Sequence, residues 1–404
     1  MKMCYNSNYQ LENNKGDHDM KKLFSMVMAM LMAFSLAACG DKDAGNADEI
    51  VVGLNYEMSG AVADYGNAHV DGIKLAVDEI NAAGGVNGKT IKLVINDNKG
   101  DTNEIATVAT KLMTEDNVVV VLGPATSGAT KAGINVGNKY KVPVISASAT
   151  SDDVTLNKDG SVTEYGFKIC YSDTYQGTKL ANFAVSQNAM KAVIFADSSS
   201  DYAKGLSKAF TDAYTKANGT IVATENYVAG DADFNAQLTN LKGKEFDVMF
   251  IPGYYQEAGL IVKQAREMGI TAMILGPDGF DSQDFIDQAG TANCNNVYFS
   301  THFSRVDKVD AVTNFVKAYK DEYGSEPGCF HALGYDLAYY LKDVLNRVEG
   351  DITSESVTKA LNDTEAVFTG VTGSFSMKED HTPEKAIKVV ELKDGVQVAA
   401  YTVD

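Results

Sequence analysis

From Glu49 onward, short apolar runs alternate with stretches whose apolar residues recur three or four positions apart. Ile50–Leu54 reads as a buried strand, and Val70, Ile73, Val77 and Ile80 mark the face of a helix. Gly84-Gly85-Val86-Asn87-Gly88 stops that helix. The next strand is Ile91–Ile95, and the next helix face is Ile105, Val108, Ala109 and Leu112. Val118–Leu122 is a third strand. A helix over 127–139 then leads to a fourth strand, Val142–Ser146. Parallel strands need crossovers, usually helical, so this order implies a parallel sheet with helices on both faces.

The pattern then restarts. Helices over 175–187, 202–217 and 234–241, and the face Ala258, Ile261, Val262, Ala265 and Met268, alternate with five strands. These are Ala192–Phe195, Thr220–Tyr227, Val248–Ile251, Ala272–Leu275 and Val297–Ser300. A second doubly wound α/β lobe of similar size is the expectation. Two further helices follow, one carrying Val312, Phe315, Val316, Tyr319 and Tyr323 and the other over 329–348. A short helix over 354–361 and strands 386–392 and 397–401 close the chain. The late helices have no parallel strands of their own nearby. They must cover a sheet already built, so at least one lobe is discontinuous.

Ahead of the lobes, Met20–Cys39 reads MKKLFSMVMAMLMAFSLAAC. Lys21 and Lys22 form a positive start, Leu23–Phe34 an apolar stretch, and small residues precede a cysteine, which is the order of a secretory signal. The run is short for a membrane span, which needs about 20 apolar residues. Leu36-Ala37-Ala38-Cys39 resembles a lipobox, which implies a lipid-modified Cys39 as the mature N-terminus. Two acyl chains give stable anchoring where one is marginal. Residues 1–19 are read as an upstream extension, 20–38 as the signal peptide and 39–48 as lipidated cysteine and flexible tether.

The formal net charge is −19, which argues against nucleic acid or anionic lipid as the main ligand. None of the five cysteines, Cys4, Cys39, Cys170, Cys294 and Cys329, falls in a C-x-x-C pair, and no two of the five histidines have metal-ligand spacing. No metal or cofactor is expected. Neither a G-x-G-x-x-G turn after a strand, nor a G-x-x-x-x-G-K-[ST] loop, nor a G-x-S-x-G elbow occurs, so an enzyme is not the expectation.

Several loops match one known family. Ser59–Gly66 (SGAVADYG), Asp78–Gly88 (DEINAAGGVNG), Gly123–Ser127 (GPATS), Ile145–Thr150 (ISASAT), Asp197–Leu206 (DSSSDYAKGL), Gly253-Tyr254-Tyr255 and Gly276–Gly279 (GPDG) stand in the order found there. The chain resembles the branched-chain amino-acid (leucine/isoleucine/valine) binding proteins of ABC importers over nearly all of 50–404. The resemblance implies the type I periplasmic binding protein fold, two lobes joined by three crossings. The crossings are expected near Ile169–Tyr171, Ser300–His302 and Gly373–Phe375. Lobe 1 would take residues 49–170 and 302–374, and lobe 2 residues 171–301 and 375–404. The implied partners are a small amino-acid ligand, an ABC permease with its ATPase subunits, and the membrane through the lipid anchor alone; a monomer is expected.

An α-amino acid needs hydroxyl and N–H donors for its carboxylate, an acid for its ammonium and an apolar wall for its side chain. The resemblance assigns Ser127, Ser148 and Thr150 to the carboxylate side, with Thr150 also accepting from the ammonium and Ser148 acting through its backbone. Ser127 also reads as a plain helix N-cap. Asp278 takes the ammonium, and Tyr202, Tyr254, Tyr65 and Phe330 contact the ligand, Tyr255 being the register alternative to Tyr254. Where Gram-negative members carry a disulfide cysteine, before Ser127, this chain has Thr126. The remaining cysteines read as buried small apolar residues. The same fold binding a short amide, urea or another small ligand, or serving as a sensor, is the alternative.

Overall fold

The computed structural model describes residues 49–403. The expected signal, lipidated cysteine and tether lie outside the described residues. The first sheet holds β1 (Glu49–Tyr56), β2 (Thr90–Asp97), β3 (Val120–Leu122), β4 (Val144–Ser146) and β5 (Gly166–Lys168), all parallel, in the order β2-β1-β3-β4-β5. Ile50, Val52, Leu54, Val120 and Leu122 in its centre are buried. The second sheet adds β6 (Lys191–Asp197), β7 (Thr220–Tyr227), β8 (Val248–Phe250), β9 (Met273–Gly276) and β10 (Val297–Thr301), again parallel and in the same order, β7-β6-β8-β9-β10. In each lobe the order reverses between the first and third strands. That reversal opens a crevice at the strands' carboxyl ends.

Helices α1 (Ala63–Ala82), α2 (Thr102–Thr114) and α3 (Ser127–Tyr140) connect the first four strands. Helices α4 (Asp173–Ser186), α5 (Asp201–Lys216), α6 (Asn235–Asn240), α7 (Tyr255–Glu267) and α8 (Gln283–Ala289) serve the second sheet. Their starts are chemically marked. Asp101 caps α2 through the N–H groups of Asn103 and Glu104, and Ser172 and Ser200 cap α4 and α5. The late helices are α9 (Asp310–Tyr323), α10 (Cys329–Asn346) and α11 (Ser354–Leu361), and α10 lies along α1.

Several elements escaped the sequence pattern. β5 is three residues long and carries a buried lysine, Lys168. α8 was not marked by any periodic face. β11 (Val367–Gly370) and β12 (Gly373–Ser376) form a hairpin. The third crossing, expected near Gly373–Phe375, has β12 at that position. Phe375 and Phe368 still pack on Tyr340 of α10, so this hairpin belongs to the first lobe. The chain crosses later, over 377–387. There Lys385 Nζ donates to Thr372 Oγ1 at 2.5 Å, and His381 stacks on Phe167. It ends in β13 (Lys388–Lys393), antiparallel to β10, and β14 (Val396–Thr402), antiparallel to β13, which together extend the second sheet.

The contact of α10 with α1 is close because glycines face it from both sides. An added Cβ at Gly334 would lie 2.3 Å from the His69 carbonyl oxygen, and one at Gly72 would lie 2.1 Å from that of His331. These neighbours are backbone and cannot swing aside. Gly334→Ala is expected to cost about 3 kcal/mol of stability by urea unfolding, the upper part of the range for overpacking. A loss below about 1 kcal/mol would mean that the helices part without cost.

Candidate functional site

Six loops converge where the two crevices face one another. Tyr65, Ala125, Thr126, Ser127, Ser148, Tyr202, Tyr254, Asp278, Gly279 and Phe330 line one cavity there. Seven of the eight expected ligand contacts are therefore brought together. The eighth, Thr150, is not on that cavity: its hydroxyl is buried beside the Asp173 carboxylate, and its carbonyl accepts from Lys168 Nζ at 3.0 Å. The cavity encloses about 10 Å³. That is room for one water molecule, and an amino acid enters only if the walls separate.

Ser127 follows β3 and is the first helical residue of α3; Thr126, not Ser127, occupies the cap position. The Ser127 hydroxyl accepts from the Ser151 N–H at 3.1 Å, which leaves its own proton to give. Ser148 follows β4 and donates its hydroxyl to the Ala125 carbonyl at 2.8 Å. The hydroxyl thus ties two loops of the first lobe together.

From the second lobe, Asp278 accepts from Tyr202 Oη at 2.5 Å and Gln176 Nε2 at 3.0 Å. His302 Nε2 lies 3.7 Å away, beyond hydrogen-bond reach. Burial pushes the Tyr202 and Tyr65 phenols well above their ordinary range, so both remain donors. Tyr202 and Tyr254 stack in parallel with centroids 5.2 Å apart, and Tyr65 packs on Phe330 at 4.3 Å. Tyr255 is not on the cavity; its phenol points to the Asp64 N–H. This decides the register between the two tyrosines in favour of Tyr254 as the lining residue.

The lobes also touch directly. Tyr65 Oη donates to the Gly279 carbonyl at 2.5 Å, Ser282 Oγ to Asp64 at 2.6 Å, and Lys131 pairs with Asp201 at 2.5 Å. Three neighbours of the site were not foreseen. Gln176 and His302 lie far from Asp278 in sequence and carry no local signal. Glu57 does carry one, an acid directly after an apolar strand, and it binds the loop that holds Thr126. Cys170, Cys294 and Cys329 are free and buried. Among the described residues, no group of His, Cys, Asp or Glu is placed to hold a metal ion, and no helix is long and apolar enough to cross a membrane.

The model of the periplasmic binding protein family matches residues 49–397. The chain belongs to that family. It is 44% identical to the branched-chain amino acid transporter substrate binding protein LivJ from Streptococcus pneumoniae, solved in complex with isoleucine. That match has a TM-score of 0.82 and covers 88% of this chain and 99% of that one. A leucine binding protein, LivK, from Thermotoga maritima is 28% identical, with a TM-score of 0.81 over 88% and 99% of the two chains. The Leu/Ile/Val-binding protein homolog 3 of Brucella melitensis is 27% identical over 89% of this chain and 94% of its own. A benzoate-bound solute binding protein from R. palustris, 21% identical with a TM-score of 0.78, shares the fold. The fold is the type I periplasmic binding protein fold, two α/β lobes built on largely parallel sheets.

His302 gives a test of how dry the floor of this cleft is. It stacks on Tyr171 at 3.7 Å, and burial lowers its imidazole to about 4. The unfolded chain takes up this proton below about pH 6.5, the folded one only near 4. Stability from the neutral ring is therefore lost as pH falls from 6.5 to 4. Relative to wild type, His302→Phe should gain up to about 1.4 kcal/mol per pH unit over that window in denaturant unfolding. A difference that does not change with pH would show the ring to be solvated.

Proposed function

We propose that the protein is the extracytoplasmic solute-binding component of an ABC importer, taking a branched-chain amino acid into this cleft and handing it to a permease. The observation that carries this reading is a buried carboxylate, Asp278, facing the start of α3 across an aromatic-walled cavity. A zwitterion with an apolar tail is the complement of that surface. Its carboxylate meets the Ser127 hydroxyl and the N–H groups at the helix start, where the dipole favours an anion. Its ammonium meets Asp278 and the Thr150 hydroxyl. Its side chain lies among Tyr65, Phe330, Tyr202 and Tyr254, with Ser148 supporting the loop.

The isoleucine named with the 44% identical structure supports the ligand class. A short amide, urea or an aromatic acid brings no ammonium for Asp278. On this reading the protein acts as a monomer and catalyses no reaction. The lobes close by hinge bending at their crossings, which favours the closed form as far as the ligand prefers it.

Asp278→Asn keeps the shape and removes the charge. In isothermal titration calorimetry on protein stripped of carried-over ligand, it should weaken leucine, isoleucine or valine binding at least 100-fold, about 3 kcal/mol, with the circular dichroism spectrum unchanged. Near wild-type affinity would refute the role of Asp278. We also assign lipid modification to Cys39. The wild type should incorporate a labelled fatty acid and sediment with membranes, whereas Cys39→Ser should do neither; equal labelling of both would sink the anchor.

A further inference from the structure

β1 and β3 are neighbours, with Leu54 opposite Leu122. The chains leaving them run side by side, so Glu57, three residues past Leu54, meets Ala125 and Thr126, three and four past Leu122. Glu57 is fully buried. Among the described residues, no lysine, arginine or histidine pairs with it. Its carboxylate is held by three donors, the Ala125 N–H at 2.9 Å, the Thr126 N–H at 3.0 Å and the Thr126 hydroxyl at 2.8 Å. Thr126 in turn lines the ligand cavity beside Tyr65 and Phe330. Its side chain has two branches. The hydroxyl is committed to Glu57, so the γ-methyl is the only branch of the side chain that remains to be offered to a ligand.

We infer that Glu57 is a specificity-determining residue, because by holding the Thr126 hydroxyl it keeps that wall of the cleft a methyl surface and makes the site prefer valine to threonine. The inference rests on the amino-acid reading of the cleft. Valine and threonine have nearly the same shape, and one methyl of valine is a hydroxyl in threonine. A ligand hydroxyl against a methyl wall gives up water and gains no partner. Turning Thr126 to offer its own hydroxyl would strip a buried carboxylate of one of its three donors. The wall therefore stays apolar for as long as Glu57 is charged and in place. Glu57 does not touch the ligand; it acts through Thr126.

The test is the ratio of valine to threonine affinity, measured by calorimetry on the full chain in detergent. Wild type should prefer valine by roughly 10- to 100-fold, the range an apolar pocket achieves against such an isostere. Glu57→Met removes the acceptor and frees the Thr126 hydroxyl, so the ratio should fall at least fivefold. The double variant Glu57→Met/Thr126→Val has no hydroxyl to free and should regain the wild-type ratio. A purely structural defect would weaken both ligands together and would not be rescued. If Glu57→Met does not fold, Thr126→Val alone decides. Both affinities then shift in step and the ratio stays within twofold, whereas a marked rise would show that the hydroxyl already served the ligand and would overturn the inference. An unchanged ratio in a folded Glu57→Met overturns it too. Wild type that binds neither ligand overturns the amino-acid reading with it, whereas valine binding with an unchanged ratio overturns the role of Glu57 alone.

Discussion

Two parallel sheets with the same strand order face each other by their carboxyl ends, and everything in the cleft hangs from that arrangement. A parallel sheet sends every connection out over one edge before the helix returns. Where the order reverses, neighbouring connections part and leave a gap that no side chain of the sheet fills. Tyr65 and Thr126-Ser127 flank the gap between β1 and β3, and Tyr202 and Tyr254 flank the one between β6 and β8. Ser148 and Asp278 come from the next strand on in each lobe, β4 and β9. The site is thus the same position used twice, with hydroxyls and helix start on one side and the acid on the other.

The chemistry of the cleft depends on a carboxylate that has been left without a cation. Asp278 has two donors, Tyr202 and Gln176, and both are neutral. A buried anion satisfied only by neutral donors remains costly, and a charged partner brought by the ligand recovers part of that cost. On the proposed reading, a lysine of the chain beside Asp278 would already occupy the acid that the ligand ammonium is to meet. Lys168 is buried in the first lobe, and its ammonium is spent on the carbonyls of Thr150 and Ser151. Those bonds fix the loop that offers the Thr150 hydroxyl. That positive charge is thus bound to a loop of the first lobe and not to Asp278.

Much of this was legible in the sequence because it repeats at short range. Apolar runs of four to eight residues and helix faces at three- and four-residue spacing carry their own periodicity, and they placed the sheet strands from β1 to β10 apart from β5. The loop motifs carry the cavity residues that come after strands, such as Ser127, Ser148, Tyr254 and Asp278, whereas Phe330 opens α10 and belongs to no such motif. What escaped depends on contacts between distant segments. Gln176 reaches Asp278 across 102 positions, and the Glu57 bonds to Thr126 span 69. β5 escaped because a buried lysine in a three-residue strand looks like surface. The hairpin of β11 and β12 escaped because its aromatic residues pack on a single helix, α10, and give no repeating signal.

The size of the cavity constrains how binding and closure are linked. At about 10 Å³ the cavity has no room for an amino acid as it stands, so binding requires its walls to move apart. The contacts that hold it closed belong to the protein: Tyr65 to Gly279, Ser282 to Asp64, Lys131 to Asp201. Lys131 and Asp201 are partly exposed, and a pair of that kind is worth about 1 kcal/mol or less. The Tyr65 contact is buried, and Tyr65 also lines the cavity. A ligand that pushes Tyr65 outward must therefore replace the bond to Gly279 with contacts of its own. A ligand stabilises closure only by its preference for the closed state over the open one. On the proposed reading, a branched-chain amino acid draws that preference from spanning Ser127 and Asp278 at once, which an open cleft does not allow.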